Sequence, residues 1–155
     1  MTKPEAQEAE RVREIVAAHQ ALEGPLLPIL HAVQAEFGHV PKSVLPVIAE
    51  ALNLTRAEMY GVMTFYHDFR EAPAGRHVLK LCRAEACQAQ GGDALAAWAK
   101  EKLGADWHET KGGVTLEPVF CLGLCAMGPA AMFDETLIAR MDEARLGEIL
   151  GEAGV

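Results

Sequence analysis

The sequence predicts an α/β protein in which an N-terminal helical bundle precedes a small sheet flanked by helices. Three observations carry that prediction. Residues 5 to 70 repeat apolar side chains at helical spacing, and from His77 onward the pattern shifts to short strands alternating with helices. Between them, Glu71-Ala72-Pro73-Ala74-Gly75 interrupts both patterns and divides the chain into residues 1–74 and 75–155.

In the first part, Val12, Ile15, Val16, His19 and Leu22 recur on one helical face, and Leu26, Leu30, Val33 and Phe37 do the same after Pro25. Ser43 to Asn53 is expected to form a third short helix, because Pro46 falls in its first turn, where a missing N–H costs nothing. Thr55-Arg56-Ala57-Glu58 has the spacing of a capping box and opens a fourth helix, with Met59, Val62, Met63 and Tyr66 on its inner face. Phe65 and Tyr66 are expected in the bundle core rather than at a partner contact.

In the second part, His77 to Cys82 reads as a strand and Asp93 to Leu103 as an amphipathic helix stopped by Gly104. Gly112-Gly113 turns into a second strand, Val114 to Phe120. Ala130 to Phe133 and Leu137 to Met141 are expected to pair as a hairpin, followed by a helix from Glu143 to Leu150 capped by Asp142. There is no internal repeat and no low-complexity segment.

Half of the 155 residues are apolar, enough for a substantial core, and the formal net charge is -8. That acidity argues against nucleic acid or an anionic membrane as partner, since both attract basic surfaces. The longest uncharged run, residues 118 to 133, is broken by glycine and proline and too short to span a bilayer. The opening residues Met1 to Glu8 run into charged sequence with no apolar segment to direct export, so a cytoplasmic protein with reduced thiols is expected.

All four cysteines fall in two clips: Cys82 and Cys87, then Cys121 and Cys125, with 33 residues between the pairs. Disulfides fit poorly in a reducing compartment. Zinc would accept the same four thiolates, but its clips are usually tighter and often recruit histidine, and no histidine lies within either pair. An iron-sulfur cluster accommodates wider clips, because each pair can close on one iron of a two-iron core. Gly123 lets the second clip turn back so that sulfurs and N–H groups face one point, while Phe120, Leu122, Leu124 and Met127 are expected to keep water away. Arg83 is expected either to offset the site's negative charge or to lie solvated on the surface. His31, His67, His77 and His108 have no companion ligands and default to surface or capping roles.

The pattern Cys-x4-Cys, then Cys121-Leu122-Gly123-Leu124-Cys125 with Gly128-Pro129 nearby, resembles the thioredoxin-like [2Fe-2S] ferredoxin family, the small iron-sulfur subunit of NADH-linked complexes. Two upstream stretches add to the likeness: Phe37-Gly38-His39-Val40-Pro41, where His39 stands in place of the family's tyrosine, and Gly61-Val62-Met63-Thr64-Phe65-Tyr66. Together they cover residues 10 to 150. Leu81 to Gln88, with Pro73 to His77 before it, looks most like the gamma subunit of soluble NAD-dependent formate dehydrogenase.

The resemblance implies an N-terminal helical bundle followed by a thioredoxin-like [2Fe-2S] domain. One [2Fe-2S] cluster would be held by Cys82, Cys87, Cys121 and Cys125 and would exchange single electrons with the flavin of a partner. The implied partners are a flavin- and NAD-binding iron-sulfur subunit and a large molybdenum or tungsten subunit that oxidises formate. No catalytic residue is expected on this chain, which contains no G-x-G-x-x-G and no P-loop. Equivalent subunits serve respiratory complex I and NAD-reducing hydrogenases. A zinc-stabilised assembly module and a thiol-disulfide oxidoreductase using Cys82 and Cys87 stay open as alternatives.

Overall fold

The computed structural model describes residues 3–155, with side chains from residue 6 onward. The chain divides into two compact units, Met1–Pro73 and Ala74–Val155.

The first unit is helical. Helices α1 (Lys3–His19), α2 (Leu26–Phe37), α3 (Leu45–Leu52) and α4 (Arg56–Phe65) enclose a core of residues such as Val12, Ile29, Leu30, Ile48, Met59 and Met63. The capping box forms as read: the Thr55 hydroxyl accepts from the Glu58 N–H at 3.2 Å, and the Glu58 carboxylate accepts from the Thr55 N–H at 2.8 Å. The third helical segment is shorter than expected, because Lys42–Val44 winds as a 3-10 turn and α3 ends where Asn53 takes φ 54°.

Two expectations for α4 are corrected. Phe65 is 72% exposed and Tyr66 42% exposed, so neither belongs to the core. Tyr66 would share the Met59–Met63 face if the helix continued, but α4 ends at Phe65 and Tyr66 is extended, at φ -88° and ψ 102°. Its ring instead meets Phe65 and Phe69 edge-on. Leu22 likewise lies beyond the end of α1 and is exposed.

The second unit is a five-stranded sheet in the order β2-β3-β1-β4-β5, with β1 His77–Cys82, β2 Thr110–Lys111, β3 Val114–Val119, β4 Ala131–Phe133 and β5 Thr136–Ile138. Strands β1 and β3 are parallel neighbours in register from His77 opposite Val114 to Cys82 opposite Val119. A parallel pair needs a crossover, and α5 (Glu85–Cys87) and α6 (Asp93–Leu103) supply it. Leu79, Leu81, Val114 and Leu116 alternate onto one face, where α6 and α7 (Glu143–Glu152) cover them with Leu95, Ala99, Leu146 and Leu150.

The short β2 was not anticipated. It is two exposed residues long and exists because the Gly112-Gly113 turn, with φ 57° and 85°, folds it back antiparallel onto β3. The hairpin of β4 and β5 forms earlier in the sequence than expected, since Asp134 takes φ 51° and turns the chain at once.

Asp134 also ties this hairpin to β1. Its carboxylate accepts from the Val78 N–H at 2.9 Å and contacts Nδ1 of His77 at 2.9 Å. Burial pushes its carboxyl up, but the His77 ring and the Val78 N–H outweigh burial and hold it below the ordinary aspartate value. Its contribution is therefore complete above the unfolded value of about 3.9 and is lost as pH falls through the lower folded value. Asp134→Asn keeps a residue tolerant of positive φ and is expected to lower stability by about 1 kcal/mol at neutral pH. Urea unfolding should show that gap narrowing below about pH 4.

Candidate metal centre

Because β1 and β3 run parallel side by side, both cysteine clips leave the same edge of the sheet. Cys82 is the last residue of β1, and Cys121 follows β3 by two positions. The end of β1 is held on both sides: the Cys82 N–H donates to the Ala130 carbonyl at 3.0 Å and the Arg83 N–H to the Val119 carbonyl at 2.7 Å. Cys87 closes the single turn α5, and its N–H donates to the Ala84 carbonyl at 3.0 Å.

The thiols meet as two pairs. The Cys121 and Cys125 sulfurs are 3.5 Å apart, and the Cys82 and Cys87 thiols are hydrogen-bonded to each other. The pairs are themselves adjacent, since the N–H groups of Cys121 and Leu122 point at the Cys82 sulfur. Among the described residues, no three side chains of the His, Cys, Asp and Glu types gather around one metal-ion position. Two pairs side by side are an arrangement in which each pair could close on one metal of a two-metal core.

Burial pushes the Cys82 thiol up, but the N–H groups of Ala84, Leu122 and Cys121, with the Cys87 thiol, outweigh it and leave Cys82 below the ordinary cysteine value. Cys87 goes the other way: burial raises it, the Ala130 N–H opposes, and the nearby charges of Cys82 and Cys125 raise it further. Cys125 is raised by its hydrogen bond to Cys121, by that neighbour's charge and by burial. An apposition of thiols that resist joint ionisation is relieved by a bound cation, whose charge favours every thiolate.

The backbone around the second pair takes uncommon conformations. Cys121 sits at φ 101°, a region that side chains with a Cβ rarely occupy, and Gly123 follows at φ 75° with its N–H aimed at the Cys121 sulfur at 3.4 Å. A Cβ on Gly128 would lie 3.3 Å from the Cys87 sulfur. Cys82 and Cys87 are buried while Cys121 and Cys125 are exposed, so one pair is dry and the other faces outward.

Two expectations about the surroundings are corrected. Phe120 is 66% exposed and Met127 40% exposed, so they do not shield the thiols; β3 ends at Val119, and the chain beyond it leaves the protection of the sheet. Leu122 and Leu124 do pack beside Cys82 and Cys87. Arg83 neither faces the thiols nor lies free: it binds Asp93 at 2.8 Å and the Gly92 carbonyl at 3.2 Å, with its guanidinium 5.8 Å from the Trp107 ring centroid. His77 sits on Phe133 and against Asp134, and the His108 N–H donates to the Leu116 carbonyl. Sequence reasoning passed over Gln90 and Gly92, although Gly91-Gly92 directly before a helix is an unusual pair that marked the place.

Sheet and site together define a small α/β module that carries two cysteine pairs side by side at the carboxyl ends of its parallel strands. Residues 12–154 match the thioredoxin-like [2Fe-2S] ferredoxin family, to which this chain belongs and whose members carry one [2Fe-2S] cluster. Among its relatives are the NADP-reducing hydrogenase subunit HndA of Solidesulfovibrio fructosivorans, 30% identical over 90% of this chain and 85% of that protein, and the E 2 subunit of the NADH-quinone oxidoreductase of Rhizobium meliloti (strain 1021), 34% identical over 91% and 85%. In fold the chain resembles part of an NAD+-reducing [NiFe]-hydrogenase crystallised in the H2-reduced state, with a TM-score of 0.69 and 21% identity. That likeness spans 83% of this chain but 22% of the hydrogenase chain.

Gly92 packs where a Cβ would come within 2.7 Å of the Cys87 carbonyl oxygen, whereas a Cβ on Gly151, in α7, would meet nothing within 4 Å. Two nominally helix-favouring changes are therefore expected to have opposite signs. Gly151→Ala should stabilise by about 0.5–1 kcal/mol, and Gly92→Ala should destabilise by about 1–3 kcal/mol. Urea midpoints of the two variants, measured side by side, check both.

Proposed function

We propose that this chain is the [2Fe-2S] electron-transfer subunit of a cytoplasmic NAD-dependent formate dehydrogenase, in which Cys82, Cys87, Cys121 and Cys125 hold the cluster. The observation that carries the electron-transfer part is the delivery of two cysteine pairs to one sheet edge by the parallel β1 and β3. When bound, the cluster supplies one-electron chemistry to a flavin that handles electrons in pairs. The chain's own residues hold and tune it: backbone N–H groups of Ala84, Cys121 and Leu122 point at the Cys82 sulfur, favouring the added negative charge of reduction.

The exposed pair gives electrons a short way out. Cys121 and Cys125 lie at the surface beside the exposed Phe120 and Met127, an apolar rim suited to a docked flavin- and NAD-binding subunit. The helical unit serves the same partner through Phe65, Tyr66 and Tyr60, whose exposed rings contribute little to its core. Each of the two compact units has its own apolar core, one unit offering the docking rings and the other the cluster cysteines. Among the described residues, no helix is long and apolar enough to cross a membrane.

The formate assignment rests on the likeness of Leu81 to Gln88 and Pro73 to His77 to the gamma subunit. A large molybdenum or tungsten subunit would then oxidise formate. The similarity to HndA and to the Rhizobium meliloti protein favours a second reading, the equivalent subunit of a hydrogenase or of a respiratory NADH-quinone oxidoreductase. Co-purification separates the two: a formate-oxidising partner supports the first, and a hydrogenase or membrane-bound partner replaces it with the second.

Anaerobically purified chain is expected to be red-brown, with iron and acid-labile sulfide at about two of each per chain, and to bleach with dithionite to a paramagnetic state. Cys125→Ala should abolish that spectrum while hydrogen exchange across α2 to α4 stays native; colourless protein with stoichiometric zinc would sink the cluster reading. Phe65→Ala is expected to leave stability within about 0.5 kcal/mol of the parent and to weaken capture of the flavin subunit by about tenfold. Unchanged capture would return the aromatic stretch to an indifferent surface role.

A further inference from the structure

We propose that Gln90 is a positioning residue for the cluster site, clamping the Cys87 turn to the Cys125 turn and so fixing the spacing of the two cysteine pairs. The proposal rests on the reading that those pairs share one two-iron cluster.

The Gln90 side-chain amide lies between the two clips. Its Nε2 donates to the Ala86 carbonyl at 2.6 Å and to the Cys125 carbonyl at 2.9 Å, joining segments 35 residues apart. Both partners are acceptors, so only a group with two donors on one atom satisfies them together, and a side-chain amide or an amine is such a group. A carboxylate of identical shape would oppose both carbonyls.

The backbone is bent to put the amide there. After α5 the helical path breaks at Gln90, with φ -102° and ψ 19°, and at Gly91, with φ 92°, before α6 resumes. Interruptions of this wide-turn kind re-aim a side chain, and the left-handed residue 91 is one that only glycine takes without strain. On the opposite wall, a Cβ on Gly128 would stand 2.8 Å from Nε2 of Gln90. The bare glycine leaves the notch that the amide fills.

The second clip needs an external tie because β3 stops at Val119, short of Cys121. The Arg140 N–H holds its far side through the Met127 carbonyl at 2.7 Å. Gln90 holds the side that faces the buried first pair. Losing that bond would let the second pair drift relative to the first, altering the hydrogen bonds around the sulfurs on which potential and retention depend.

Three substitutions test this: Gln90→Glu and Gln90→Leu remove the donors, and Gln90→Lys keeps them at similar reach. The donorless variants are expected to lose the visible cluster spectrum in air about tenfold faster than the parent and to show a shifted midpoint in redox titration. In the reduced, cluster-free chain, iodoacetamide should modify Cys125 severalfold faster in the same variants, read by mass spectrometry, with the urea midpoint little changed. Gln90→Lys should restore both the retention time and the Cys125 reactivity. If Gln90→Leu does not fold, Gly128→Ala perturbs the same notch and should reproduce the faster alkylation. Parent-like retention, midpoint and alkylation in Gln90→Glu and Gln90→Leu would overturn the clamp. A parent chain that binds no iron would instead defeat the cluster reading, and the alkylation arm would still decide the clamp.

Discussion

The parallel, in-register pairing of β1 with β3 is the constraint on which the rest of the site depends. It places Cys82 opposite Val119 and therefore sets the two cysteine loops beside one another at a shared strand end. Had β3 run antiparallel, its six residues would have carried Cys121 to the far edge of the sheet, about 20 Å away. The parallel choice in turn requires a crossover, and the chain uses that crossover twice. Its first turn, α5, carries Cys87, and its main helix, α6, covers the core face of the same two strands. Site and core are thus consequences of one topology, in keeping with the tendency of open α/β sheets to place ligands beyond the carboxyl ends of parallel strands.

The two halves of the site are built differently. Cys82 and Cys87 belong to the sheet and the packed crossover, where backbone bonds to Ala130, Val119 and Ala84 leave little freedom. Cys121 and Cys125 belong to an exposed loop whose backbone is held in costly conformations, with Cys121 itself at φ 101°. A non-glycine residue held there costs about 1–3 kcal/mol and persists only when its surroundings enforce it. The first pair sets the position of the site, and the second adapts to it and meets whatever lies outside.

Much of this was legible in the sequence, for reasons that differ from element to element. The α4 capping box, the Gly104 stop and the Asp142 cap were readable because each depends on bonds between near neighbours in the chain. Both principal strands were readable from their apolar alternation, and the four cysteines from their spacing. Burial at element ends was not readable. Tyr66 follows the helical period of Met59 and Met63, yet the helix stops one residue earlier, and Phe120 continues the apolar run of β3 past the last strand residue. Arg83 is a third case: its position beside Cys82 pointed to the thiols, while its length let it reach Asp93 and Trp107 instead. Gln90 escaped because its partners, Ala86 and Cys125, are backbone carbonyls that carry no mark in the sequence.

The glycines around the site follow from the same crowding. Gly92 leaves room for the Cys87 carbonyl and Gly128 for the Cys87 sulfur and the Gln90 amide, so backbone approaches the first pair closely beside Leu122 and Leu124. Backbone N–H groups near sulfur stabilise thiolate charge without adding a titratable cation. With Arg83 engaged at Asp93, the N–H groups of Ala84, Leu122 and Cys121 and the Cys87 thiol are what the chain directs at the Cys82 sulfur, and together they hold Cys82 below the ordinary cysteine value despite its burial.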